Sequence, residues 1–188
     1  MDIVLASGSP RRRELLETLG LTFTVCPAKG EENAPSGIGP AKTVEALSLA
    51  KAQEVRQLYP DSLIIAADTI VWADGEILGK PKTPEEAAKM LTSLSGAEHE
   101  VYTGVTVIYG DKTLCQSECT KVCFRELEES EIASYVESGE PMDKAGAYGI
   151  QGKAALMVRR LEGDYFNVMG LPLCRLGQML KAIGVKIL

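Results

Sequence analysis

The sequence predicts an α/β fold, an elongated mixed β-sheet flanked by helices. Three observations carry that expectation. Strand-like and helix-like patterns alternate early in the chain, strand pairs joined by short turns come late, and residues 62–72 form an almost unbroken apolar run, as in a strand covered on both faces. With 188 residues, 45% hydrophobic and 24% charged, the chain can bury a sizeable core. It reads as a single domain over 1–188, arranged as one body or two closely packed lobes.

Residues 3–6 form an apolar strand that runs into Ser7-Gly8-Ser9 and then a helix, with Ser9 suited to the N-cap and Pro10 to the first helical position, where its missing N–H is not needed. A second strand is expected over 22–26 and a polar Pro/Gly loop over 31–40. An amphipathic helix follows from Pro40 to Leu58 and stops before Pro60. Asp68 interrupts the apolar run of 62–72, where the inner strand is expected to end, and Asp74-Gly75 marks a hairpin turn. Thr83-Pro84-Glu85-Glu86 has capping-box spacing for a helix start. Alternating segments 101–109 and 113–124 flank Gly110-Asp111 as a long antiparallel hairpin. A helix over 128–137, a glycine-rich loop over 139–152, a strand over 155–161 and a closing helix over 173–183 complete the chain, with 163–173 read as a turn leading into that last helix.

Charge and composition narrow the function. Lys and Arg total 20 against 26 Asp and Glu, for a net charge of -6, which argues against non-specific binding to nucleic acid or to an anionic membrane. No apolar run of about 18 residues is present, and Met1-Asp2-Ile3-Val4 opens a strand with no basic leader before it, so a cytoplasmic protein is expected. Cys26, Cys115, Cys119, Cys123 and Cys174 read as reduced core thiols. The spacing of Cys115, Cys119 and Cys123 would align them on a helix and suggest a metal. Their segment has strand composition, however, which strings them along one face too far apart to share an ion. With His99 the only histidine and no G-x-S-x-G elbow, neither a Ser-His hydrolase nor a multi-histidine zinc site is expected. His99 is read as ordering the start of its strand.

Several short segments carry chemistry. Ser7-Gly8-Ser9-Pro10-Arg11-Arg12 places backbone N–H groups, the positive end of a helix dipole and two forked guanidinium groups together, a combination suited to phosphate and equally readable as a solvated basic turn. Asp68, an acid on an inner strand, needs a cation, a metal or hydrogen-bond donors, or else forms a local turn with Thr69 or Ile70. Lys80, on the Gly79-Lys80-Pro81 turn, and the adjacent acids Glu31 and Glu32 read alone as surface charge. Taken with Asp68 and the arginines, they supply carboxylates for a divalent cation and cations for phosphates. The long glycine-rich loop through Gly152 is costly to order unless it is used.

Six ordered motifs then resemble one family. They are Ala6-Ser7-Gly8-Ser9-Pro10-Arg11-Arg12, Ala67-Asp68-Thr69-Ile70-Val71, Lys80-Pro81, Val101-Tyr102-Thr103-Gly104, the run from Asp143 to Gly152, and Asn167-Val168-Met169-Gly170-Leu171-Pro172-Leu173. Together they resemble the Maf proteins, first named as septum-formation inhibitors. The resemblance implies a fold akin to the inosine triphosphate pyrophosphatases, with two lobes around a central cleft, and a homodimer. It also implies a pyrophosphatase that converts nucleoside triphosphates to the monophosphate and pyrophosphate with Mg, Mn or a similar divalent cation. On this basis Asp68 matches the catalytic aspartate, Ser7, Arg11, Lys51 and Lys80 match phosphate-binding positions, and Glu32 joins Asp68 as a metal ligand. Arg12, Thr69 and Gln151 match the specificity set of the dTTP- and UTP-cleaving branch. Two alternatives are carried forward: a nucleotide-binding regulator of cell division, and the same chemistry on another nucleotide.

Overall fold

The computed structural model describes residues 1–30 and 37–186. Its strands are β1 (Ile3–Leu5), β2 (Thr24–Val25), β3 (Leu63–Ala73), β4 (Glu76–Leu78), β5 (Glu98–Tyr109), β6 (Lys112–Phe124) and β7 (Val158–Glu162). Its α-helices are α1 (Pro10–Glu17), α2 (Pro40–Leu58), α3 (Pro84–Leu94), α4 (Glu129–Glu137), α5 (Tyr165–Met169) and α6 (Leu173–Ala182). The strands form a mixed sheet in the order β2-β1-β3-β5-β6-β7, with β4 paired to β3. β1 pairs in parallel with β2 and β3, whereas β3–β4 and β6–β7 are antiparallel, so the expected mixed α/β architecture is observed.

The chain separates into two compact units assembled from interleaved segments. The first comprises Met1–Asp68, Thr103–Glu118 and Gly170–Leu188, and the second comprises Thr69–Tyr102 and Cys119–Met169. In the first unit, Val4, Ala6, Ile64, Ala66 and Ile108 pack with Ala52 and Val55 of α2. The buried stripe of that helix, Val44, Leu47, Ser48, Ala52 and Val55, has the 3.6-residue period that its sequence predicts. Pro40 opens it, and Tyr59, held out of the helical region by Pro60 at φ -130 and ψ 68, closes it. In the second unit, α3, α4 and the sheet enclose Val71, Leu91, Leu94, Val101, Val122, Phe124, Ile132 and Tyr148. Thr83 caps α3 by accepting a hydrogen bond from Glu86 N at 3.2 Å. The β3–β4 turn has Asp74 at φ 51 and Gly75 at φ 83, the left-handed pair that a two-residue hairpin requires.

Four local expectations are corrected. Residues 155–161 are not all strand: a 3-10 turn spans Gly152–Leu156, and β7 begins only at Val158. The stretch after Gly163 contains the short helix α5, in which Phe166 N is bound by Asp164 Oδ1 at 2.7 Å. Ser9 occupies the N-cap position of α1 without a side-chain cap bond. None of the five cysteines is fully buried: Cys115, Cys119 and Cys123 lie on β6, whose side chains are only partly covered, Cys26 is half-buried after β2, and Cys174 is exposed on α6.

Candidate active site

β3 runs on to Ala73, so Asp68 lies within the strand and not at its end. Strand alternation puts Asp68 on the same face as Ile64 and Ala66, both of which pack against α2. Lys51 projects from α2 toward that face, and its Nζ donates to Asp68 Oδ1 at 2.5 Å. The two side chains are 17% and 9% exposed, so the ion pair is largely withdrawn from water. The cation that Asp68 needs is therefore supplied by the protein, and the local turn to Thr69 or Ile70 does not form.

At the end of β1, Ser7 is buried and its Oγ accepts from Ser9 N at 3.3 Å and from Arg12 Nη1 at 3.1 Å. Arg12 Nε also donates to Gly170 O at 2.8 Å, which fixes the guanidinium between the Ser-rich turn and the residues leading into α6. Arg12 is thus oriented by its own unit, which the basic-turn reading of the sequence did not foresee. Arg11 stands half-buried one residue earlier on the first turn of α1. The first unit thereby holds Ser7, Arg11, Arg12, Lys51 and Asp68, and it joins Lys51 to Asp68 and Ser7 to Arg12.

The second unit holds the other three predicted positions within the described residues. Thr69 is half-buried on β3 next to Asp68. Lys80 is exposed just after β4, on a turn anchored by Gly146 N donating to Gly79 O at 3.0 Å. Gly146 adopts φ +68, and a Cβ there would approach Val71 Cγ2 to 2.8 Å, so a glycine is required where the glycine-rich loop meets β3. Gln151 is half-buried at the head of the Gly152–Leu156 turn. Glu32, the expected second metal ligand, and its neighbour Glu31 lie outside the described residues.

Among the described residues no three His, Cys, Asp or Glu side chains converge as a metal site. Asp68 is a carboxylate of the type through which a hard divalent cation such as Mg is held together with substrate phosphates, and one of its oxygens is bonded by Lys51. No helix of the described residues is long and apolar enough to cross a membrane.

The Maf-like protein family model matches residues 2–183 of the chain. The chain belongs to the Maf family. A relative from Pelotomaculum thermopropionicum, named dTTP/UTP pyrophosphatase, is 51% identical over 100% of this chain and 99% of its own length. A Moorella thermoacetica protein of the same name is 50% identical over 98% of this chain and 96% of its own. A nucleoside-triphosphatase (dITP/XTP pyrophosphatase) from Mycobacterium abscessus aligns with a TM-score of 0.45 at 16% identity, covering 68% of this chain and 76% of that one. The Staphylococcus aureus Ham1 protein aligns with a TM-score of 0.46 at 15% identity, covering 66% of this chain and 72% of that one.

Sequence reasoning from the residues alone did not find Lys51, which entered only through the family resemblance. A signal was present, because Lys51 lies seven residues after Val44, on the apolar stripe of α2, where a charge needs a partner. The Ser48–Thr106 hydroxyl pair, at 2.8 Å, was likewise unforeseen.

Proposed function

We propose that this Maf protein hydrolyses dTTP and UTP to the monophosphate and pyrophosphate. The observation that carries this reading is its roughly 50% identity, over nearly its full length, to relatives named for that reaction.

Chemically, a water attacks the α-phosphorus, the bond to the bridging oxygen breaks, and pyrophosphate leaves with the electron pair. A divalent cation held by Asp68 and Glu32 would supply charge neutralisation on the triphosphate. Asp68 would accept a proton from the attacking water, and its pairing with Lys51 keeps its carboxylate oriented. Arg11 and Lys51 bring fixed positive charge to oxygens whose negative charge grows as the bond breaks, the main electrostatic task in such a displacement. Ser7, oriented by Arg12, offers a hydroxyl at the end of β1, where the first turn of α1 presents backbone N–H groups.

In the second unit, Lys80 is assigned to phosphate. Arg12, Thr69 and Gln151 are assigned to the base on the family resemblance. A glutamine amide can donate and accept at once, which matches the O4 and N3–H edge shared by thymine and uracil. The reading extends to a homodimer on the strength of the family resemblance alone, and to the cytoplasm from the composition of the sequence.

The test is pyrophosphate release from a panel of canonical and modified triphosphates with Mg or Mn, comparing the wild type with Asp68→Asn. Release from dTTP and UTP that chelator and the substitution both abolish is the expected result. Release confined to another nucleotide would redirect the specificity, and no release from any triphosphate would favour a nucleotide-binding regulator.

A further inference from the structure

The motif Val101-Tyr102-Thr103-Gly104 supplies none of the predicted site residues. Gly104 lies on β5, and a Cβ built there would sit 2.2 Å from Val44 O, 2.3 Å from Val44 C and 2.7 Å from Glu45 N. All three are backbone atoms of α2, so the helix rests directly on the strand and no flexible side chain can yield to make room. Two residues along the same face of β5, Thr106 Oγ1 bonds Ser48 Oγ at 2.8 Å. Thr106 Oγ1 also donates to Cys115 Sγ at 3.2 Å, and Cys115 Sγ donates to Glu45 O at 3.3 Å. Another step along, Ile108 packs in the cluster that holds Ala52 and Val55. Thus Gly104, Thr106 and Ile108 form a seat for successive turns of α2.

Lys51 lies on this seated stripe. Residues 44 and 51 are seven apart, two helical turns or about 10 Å, and they point almost the same way. The distance between α2 and the sheet at Gly104 and Thr106 therefore sets how far Lys51 must reach to Asp68. A lysine with its helix lifted by a fraction of an ångström has to bend or stretch to keep a 2.5 Å contact. We propose that Gly104 and Thr106 are positioning residues for the hydrolysis, acting through the height of α2 to place Lys51 against Asp68. This rests on the reading, given above, that Lys51 and Asp68 serve the reaction.

The experiment is a set of double-mutant cycles on the full chain, reading kcat/KM for dTTP and UTP and the melting temperature of each variant. Gly104→Ala, Thr106→Val and Thr106→Ser are each made in the wild-type and in the Lys51→Ala background. Gly104→Ala is expected to lower kcat/KM on the order of 100-fold and Thr106→Val about tenfold. In the Lys51→Ala background each should cost less than about threefold, because the side chain through which they act has gone. Thr106→Ser, which keeps the hydroxyl, should retain wild-type activity. If Gly104→Ala does not fold, the Thr106 cycle decides.

Equal losses in both backgrounds would overturn the positioning role while leaving the function intact. A Lys51→Ala variant as active as the wild type would remove Lys51 from the reaction, and the proposal with it. An inactive wild type would instead mark failure of the proposed function itself.

Discussion

Each unit of the molecule buries a polar pair, and the two pairs are built on opposite principles. In the first, Lys51 and Asp68 are both charged groups, joined at 2.5 Å between a helix and a strand. In the second, His99 Nε2 and Tyr148 Oη meet at 2.7 Å. Their rings pack edge-on with each other at 5.3 Å and with Phe124 at 5.1 Å and 4.8 Å. The neutral pair suits its apolar cluster: burial lowers the His99 pKa to about 4 and pushes the Tyr148 phenol up, so both stay uncharged. A core that only needed a polar link could use that solution. Retaining two charges in the first unit, where desolvation opposes them, points to a task beyond holding the fold.

The largest expected effect separates those tasks. Replacing the ion pair with an apolar pair, Lys51→Met with Asp68→Leu, should abolish pyrophosphate release, by 100-fold or more on the order set by loss of such groups. Melting should stay at or above that of the wild type, since buried ion pairs exchanged for packed hydrophobes are commonly neutral or stabilising. Each single substitution should be less stable than the double by about 3 kcal/mol, because it strands one charge away from water. A double variant less stable than either single would show that the charges contribute net stability. The comparison between the two pairs would then lose its point.

The same contrast explains what the sequence revealed. The helix from Pro40 to Leu58 was legible to the residue because Pro40, the apolar stripe and Pro60 all act locally. Asp68 stood out because an acid among Ile64, Ile65, Ala66 and Ala67 has few explanations. Its partner was not legible from the residues, since the Lys51–Asp68 contact depends on the packing of α2 on β3, as does the Ser48–Thr106 bond. His99 was read as ordering the start of its strand, whereas its bond goes to Tyr148, 49 residues on, a partner that left no local mark. The short helix α5 was missed because five residues are too few to display a period. Lys80 and the Glu31–Glu32 pair gained meaning only beside Asp68 and the arginines, the role of Gln151 comes from resemblance alone, and all three await their tests.

A second, intermediate effect concerns pH. The folded protein holds His99 neutral down to about pH 4, whereas the unfolded chain takes up its proton near the ordinary value of 6.5. Between those values the unfolded state binds more protons. His99 therefore leaves stability intact above the upper value and withdraws it as pH falls toward the lower one. The full withdrawal is on the order of 3 kcal/mol. Urea unfolding at about pH 7 and about pH 4 should show a loss in the wild type that exceeds the loss in His99→Gln by roughly that amount. Equal losses in the two proteins would mean that His99 finds a way to ionise in place.

The smallest effect sharpens the cause of that behaviour. Tyr148→Phe keeps the ring and its contact with Phe124 but removes the hydroxyl, leaving His99 Nε2 buried without its partner. Nδ1 already has no hydrogen-bond partner among the described residues. The expected cost is about 1–2 kcal/mol of stability, with pyrophosphate release at moderate temperature unchanged because no predicted site residue is touched. The depressed pKa of His99 comes first from burial, opposed only by the charge of Glu98. The phenol is not its cause. The variant should therefore keep the wild-type difference in stability between the two pH values while starting from a lower level. If the pH dependence vanished with the hydroxyl, the Tyr148 bond, and not exclusion from water, would be what holds His99 neutral.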